Sequence, residues 1–287
     1  MYLIDSKIAA AELACAAIVG VILIKWIARR LLIAWLGVRS AGAFPATALD
    51  RMLLRYQTLP TSIWMFAWFK TRLDPMFREL PELLRAMPEP KTILDIGCGY
   101  GVAGRALLEW FPNAALVGID PSWLRVRFAA AIFAERGRAI RAAAPNLPMA
   151  RLPDPVDAVF ILDVIHYLDD TQLEATLRQV RERLAEGGWL IIRVSIPEAP
   201  RKSVLFRLEL IERAVTRRYA YYRTADQVEQ VLQAEGFDLR HRQMSGTDGE
   251  LCWFIAAAGQ RASRLLRPAH PSGPLARYSG RGLGGLG

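Results

Sequence analysis

The 287-residue sequence predicts an α/β fold. The expected architecture is a mostly parallel sheet with helices on both faces, an antiparallel final hairpin and preceding N-terminal helices. Three observations predict it. From Lys91 onward, short apolar runs alternate with helical stretches. The first run ends in a glycine-rich turn, "DIGCGYGVAG". The last two runs, "DLRHRQMS" and "LCWFIAAA", are joined through "GTDGE" with no helix between them. Apolar strands separated by helices belong in a parallel sheet buried on both faces. Two strands joined by a glycine-containing turn pair as a hairpin.

The elements follow in chain order. "TILDI" (92–96) reads as a buried strand and "GVAGRALLEWF" (101–111) as a helix. "ALVGID" (115–120) is a second strand and "SWLRVRFAAAIFAE" (122–135) a second helix. "DAVFILDV" (157–164) is a strand, followed by the helix "TQLEATLRQVRERLA" (171–185) and the strand "GGWLIIRVS" (187–195). "TADQVEQVLQAEGF" (224–237) is the last helix before the hairpin.

The flanks differ from this core. Residues 8–38 are apolar for about the length that spans a bilayer, roughly 20 residues, and Lys25, Arg29, Arg30 and Arg39 come late in the segment or after it. A signal peptide places its charge before the apolar run. The segment (residues 1–44) is therefore expected to associate with a membrane, as a spanning or interfacial helix. The positive-inside rule then puts the rest of the chain in the cytoplasm, as at a bacterial inner membrane. Residues 45–90 read as short helices forming a lid or linker. There Trp64, Phe66, Trp68 and Phe69 crowd beside Lys70 and Arg72, which suits a membrane interface, a cover over an apolar pocket or ordinary helix packing. Residues 261–287, rich in Gly, Pro, Ser and Arg, are expected to be a disordered basic tail.

Charge and cysteine exclude two classes. The net charge is +9, but it is concentrated at the ends. Residues 1–44 hold five basic and two acidic side chains, and 261–287 hold five basic and no acidic ones, so the middle is nearly neutral. Nucleic-acid enzymes carry their cations on the folded body; basic ends beside an apolar helix suit an anionic membrane surface. The three cysteines, Cys15, Cys98 and Cys252, have no metal-ligand spacing, so neither a zinc site nor a disulfide framework is expected.

The glycine turn poses the functional question. Gly99-x-Gly101-x-x-Gly104 with Asp120 at the end of the next strand fits a dinucleotide site, but it fits S-adenosylmethionine as well. Asp95 discriminates. An acid two residues before Gly97 would repel a pyrophosphate and attract a cationic amino group. "LDIGCGYG", "VGIDPS", "DAVFILDVIHYL" and "AEGGWLII", in this order, resemble the class I S-adenosylmethionine-dependent methyltransferases over residues 91–259.

The resemblance implies a Rossmann-like seven-stranded sheet, order 3-2-1-4-5-7-6, with strand 7 antiparallel. It implies that Asp95, Gly97, Gly99, Tyr100 and Gly101 line the methionine end of S-adenosyl-L-methionine. Asp120 then binds the ribose hydroxyls, Pro121 and Ser122 flank the adenine, and Asp163 and Val164 floor the site beside the sulfonium. Many relatives have an acid before a Leu-Pro that recognises the adenine amino group. Here "RAAAPNLPM" puts Ala143 or Ala144 at that place, with Asn146 or a backbone carbonyl as the substitute. His166, near the end of a core strand, is the candidate general base; an unperturbed imidazole titrates near pH 6.5. Tyr167, Tyr221 and Tyr222 are weaker candidates for lining the acceptor pocket. Residues 196–222, apolar and basic, mark the acceptor region and suit an apolar or amphiphilic molecule: an aromatic, a quinone precursor, a polyketide intermediate or a lipid. Two other classes stay open: a non-catalytic subunit that binds the cofactor, and a membrane-tethered NAD-dependent reductase.

Overall fold

A computed structural model describes residues 19–21, 23–38, 47–197, 220–246 and 249–259. They fall in two compact units, divided between Thr71 and Arg72. The expected tail at 261–287, the start of the apolar segment at 8–18 and most of the expected acceptor region lie outside the described residues.

In the first unit, residues 19–21 and 23–38 are helical (α1). Helix α2 (Ala48–Arg55) starts in a capping box: Thr47 Oγ accepts from the Asp50 N–H while the Asp50 side chain accepts from the Thr47 N–H. Helix α3 (Thr61–Leu73) follows a short 3₁₀ turn, Tyr56–Thr58. Arg29 folds back along the unit. Its guanidinium donates to Thr61 Oγ1 at 2.9 Å and to the Leu59 and Gln57 carbonyls. Among the described residues no helix is long and apolar enough to cross a membrane. Most of the apolar part of the expected membrane segment, residues 8–18 and 22, lies outside the described residues, and Lys25, Arg29 and Arg30 fall in its described helical part.

The second unit holds the sheet. Helix α4 (Met76–Leu84) leads to β1 (Thr92–Ile96), α5 (Val102–Trp110), β2 (Ala115–Asp120), α6 (Trp123–Phe133) and β3 (Gly137–Arg141). Then come β4 (Val156–Leu162), α7 (Asp170–Arg183), β5 (Leu184–Ser195), α8 (Ala225–Ala234), β6 (Phe237–Ser245) and β7 (Leu251–Ala258). The seven strands run in the order β3-β2-β1-β4-β5-β7-β6. All neighbours are parallel except β5 with β7 and β6 with β7, which are antiparallel. Both the order and the antiparallel final hairpin agree with the expectation.

Burial explains the arrangement. The central strands β1, β2 and β4 are buried along nearly their whole length, as residues covered by helices on both faces must be. The edge strand β6 instead carries exposed Arg240 and Arg242, charges that discourage pairing with another chain. The register places the carboxyl ends of β1, β2 and β4 side by side: Asp95 lies opposite Gly118 of β2 and Phe160 of β4. In an open α/β sheet this edge is where ligands bind.

Candidate active site

The glycine turn joins β1 to α5. The N–H groups of Gly97 and Cys98 both donate to the Ile119 carbonyl, at 2.7 and 2.9 Å, which ties the turn to β2. Gly97 has φ +84°, and a Cβ there would lie 2.2 Å from Val164 Cγ2, so only glycine fits beneath Val164. Gly99, with φ +54°, has the opposite surroundings: a Cβ there would meet nothing within 4 Å. The turn is therefore packed on one side and open on the other.

Two buried carboxylates lie beside the turn. Asp120, at the end of β2, is buried and accepts from the Gly99 N–H at 3.1 Å and from the Ser122 N–H at 2.8 Å. These two bonds fix its orientation and leave further lone pairs for hydroxyl donors. Arg125 Nη1 stands 3.9 Å from its Oδ2, and the Arg125 guanidinium covers the Tyr100 ring at 5.7 Å. Asp95, near the end of β1, is buried, and its Oδ2 lies against Gly104 in the first turn of α5. Its Oδ2 is buried without a hydrogen-bond partner. Burial, with the Asp120 charge second, pushes its pKa from the ordinary 3.8 to about 7. Burial likewise pushes the neighbouring Cys98 thiol well above its usual range, which leaves it inert.

The remaining expected site residues are placed as follows. Ser122 caps α6, its Oγ accepting from the Arg125 N–H, and the Pro121 carbonyl accepts from Arg141 Nε at 3.2 Å. Ala144 is buried beside the loop, whereas Asn146 is exposed. That loop is held from α7 by Gln179, which accepts from the Leu147 N–H and donates to the Pro145 carbonyl. Asp163 follows β4 with φ +59°, and both its carboxylate oxygens accept from Arg193. Val164 lies over Gly97. His166 is buried, its ring 4.2 Å from that of Tyr167 and 6.3 Å from the stacked ring of Tyr222. Its carbonyl accepts from the Tyr221 N–H at 2.8 Å. The buried Arg223 pins the same turn by donating to the Ile165 and Leu168 carbonyls and to Asp170.

The structure thus brings Asp95, Gly97, Gly99, Gly101, Tyr100, Asp120 and Ser122 together with Asp163 and Val164 at one sheet edge. Arg125, Gln179, Arg193 and Arg223 belong to this assembly too, and the sequence motifs do not mark them. A positively charged residue after a second strand, or inside an apolar strand, was the available signal.

The strand order, the acid before the glycine turn and the acid ending the next strand are those that the resemblance to the S-adenosylmethionine-dependent methyltransferases implies. Comparison with known proteins agrees. Residues 94–190 match the methyltransferase domain family. The chain is 31% identical over 132 residues to a trans-aconitate 2-methyltransferase of Azoarcus sp., covering 42% of this chain and 46% of the relative. The chain thus spans about half the length of that curated relative. Among solved structures, an S-adenosylmethionine-dependent methyltransferase from Mesorhizobium loti superposes with a TM-score of 0.52 at 20% identity, covering 64% of this chain and 97% of that one. An O-methyltransferase family protein from Burkholderia thailandensis gives a TM-score of 0.53 at 14% identity, covering 72% and 62%. These two likenesses establish the fold.

The residues present fit the cofactor of that class. The orphaned Asp95 oxygen suits a cationic amino group, the Asp120 carboxylate suits a pair of ribose hydroxyls, and Gly99, whose N–H donates to Asp120, has open space beside it.

Proposed function

We propose that the protein transfers a methyl group from S-adenosylmethionine to an apolar or amphiphilic small molecule at a membrane surface. The observation that carries the cofactor half is the unpartnered, buried Asp95 oxygen beside the glycine turn. A pyrophosphate there would meet a buried acid; an amino group satisfies it. When bound, the cofactor supplies a sulfonium-activated methyl group for in-line displacement.

The chain's own residues then provide alignment. Asp95 and Asp120 hold the two ends of the nucleoside amino acid, and Val164 closes the floor over Gly97. Holding the reactants in a fixed geometry is the main contribution such a site makes to the rate. His166 lies two residues beyond Val164, enclosed by Tyr167 and Tyr222, and takes the role of base where the acceptor must lose a proton.

Support for a membrane-presented acceptor comes from α1. Leu23, Ile24, Trp26, Ile27, Leu31 and Trp35 are all exposed on it, beside Lys25 and Arg30. A helix that leaves this many large apolar side chains exposed needs an apolar partner, and cations next to tryptophan suit a headgroup boundary.

Calorimetry on the full-length protein tests the cofactor half. S-adenosylhomocysteine should bind and NAD and NADP should not; tight NAD binding would overturn the reading in favour of a reductase. A labelled-methyl assay on host membrane extracts, with trans-aconitate as one further candidate acceptor, tests the transfer. Cofactor binding without label transfer would favour a non-catalytic subunit.

A further inference from the structure

Arg193 is a cation in the middle of a buried strand. It sits on β5 between Ile192 and Val194, is 1% exposed, and lies across the antiparallel pair from Trp253, whose ring its guanidinium covers at 5.4 Å. Such a residue is tolerated only when its donors are matched. Here the fork serves two carboxylates. Nε and Nη2 donate to Asp163, the former at 2.9 Å, while Nη1 and Nη2 donate to Asp74 at 2.5 and 2.8 Å. The backbone adds a further tie, because the Asp163 N–H donates to the Arg193 carbonyl at 2.8 Å. Asp74 itself precedes α4, and its Oδ1 also accepts from the Met76 N–H in the first turn.

Asp163 is where this arrangement meets the site. Its φ of +59° is left-handed, a conformation that a non-glycine residue holds only under restraint from its surroundings. The next residue, Val164, packs against Gly97 with no room for even one more carbon. A relaxation of the backbone at 163 would therefore move Val164 directly against the glycine turn.

We propose that Arg193 is a positioning residue for the cofactor site: by clamping Asp163 against Asp74 it holds the left-handed backbone that seats Val164 on the glycine turn. The inference rests on the methyltransferase reading above. It assigns to Arg193 no contact with the cofactor or the acceptor. A lysine at 193 keeps the charge but has no planar fork, so it cannot serve both carboxylates bidentately.

The experiment compares full-length wild type, Arg193→Lys, Asp74→Asn and Leu232→Ala. The last removes core volume in α8, which packs against β6, and supplies a variant destabilised away from the clamp. Binding of S-adenosylhomocysteine is measured by calorimetry and the melting temperature by circular dichroism. Arg193→Lys should weaken binding at least tenfold. Asp74→Asn, which keeps the Asp163 arm, should weaken it two- to fivefold, and Leu232→Ala should leave it within twofold despite a lower melting temperature. If Arg193→Lys is insoluble, Asp74→Asn carries the comparison alone. Unchanged affinity in the clamp variants would overturn the proposal, and so would an equal loss in Leu232→Ala, which would make the effect one of general stability. Failure of the wild type to bind S-adenosylhomocysteine would instead remove the methyltransferase reading, and this inference with it.

Discussion

Asp95 combines a position at the strand end with a carboxyl that burial holds near pH 7. In the cofactor-free protein, the folded state binds this proton more tightly than the unfolded chain does. Its stabilising contribution is thus complete below about pH 4 and is lost as the pH rises through about 7. A cationic amino group beside the carboxylate reverses the preference, because an opposite charge favours the ionised form. Binding must then release the proton. The affinity for S-adenosylhomocysteine should accordingly rise between pH 5.5 and 8, and Asp95→Asn should flatten the rise while weakening binding at the upper end. Calorimetry across that range checks it; an unchanged pH dependence in Asp95→Asn would show that another group titrates. Asp95 was legible in the sequence because its meaning is local: an acid two residues before a glycine turn. Arg193 was not. Its partners Asp163 and Asp74 lie 30 and 119 positions away, and nothing in "WLIIRVS" distinguishes a clamped arginine from an interruption of the strand.

At the level of elements, the turn between β1 and α5 separates stability from binding. Gly97→Ala places a methyl group against Val164 at a left-handed backbone, so both strain and overpacking oppose it. The expected cost is about 2–4 kcal/mol of stability from these effects together. Gly99→Ala meets no atom, and its cost is confined to the backbone, about 1 kcal/mol. The added methyl group projects into the open side, however, where the cofactor is expected. Denaturant unfolding should therefore rank Gly97→Ala as the more destabilised, while calorimetry should show a loss of cofactor affinity in Gly99→Ala out of proportion to its stability. A Gly99→Ala protein that binds as well as wild type would place the cofactor elsewhere. Most elements around this turn were legible from apolar runs and glycines. Strand β3 was not read from the residues, because among Gly137–Arg141 only Ile140 is buried and two of the five are arginines. An edge strand paired on one side needs no apolar run, so its pattern is weak. The loop after it was legible only as a departure from the usual acid, and Gln179, which holds the loop, comes from α7.

On the scale of the whole molecule, the distribution of charge and apolar surface makes a claim that the sheet-bearing unit alone cannot. The +9 charge sits mainly at the chain's ends, while the middle is nearly neutral. On α1, exposed tryptophans and leucines stand among Lys25 and Arg30. Arg29 is different: its two terminal nitrogens donate to Gln57, Leu59 and Thr61, so its charge serves the fold of the first unit. Two forces are then available for attachment. Attraction of cations to anionic headgroups is screened over about 3 Å at 1 M salt. Insertion of apolar side chains is insensitive to salt and yields to agents that disrupt the bilayer. A helix lying in the interface should use both. Full-length protein from broken cells should therefore sediment with membranes, remain largely bound in 1 M salt and be released by detergent. Replacement of Trp26, Leu31 and Trp35 together by serine should shift it to the supernatant in salt while leaving S-adenosylhomocysteine binding unchanged, since the glycine turn and its two acids lie in the second unit. Release of the wild type by salt alone would reduce the attachment to charge. A wild type that never sediments would remove the membrane from the proposed function, and the apolar residues of α1 would then require a protein surface to cover them.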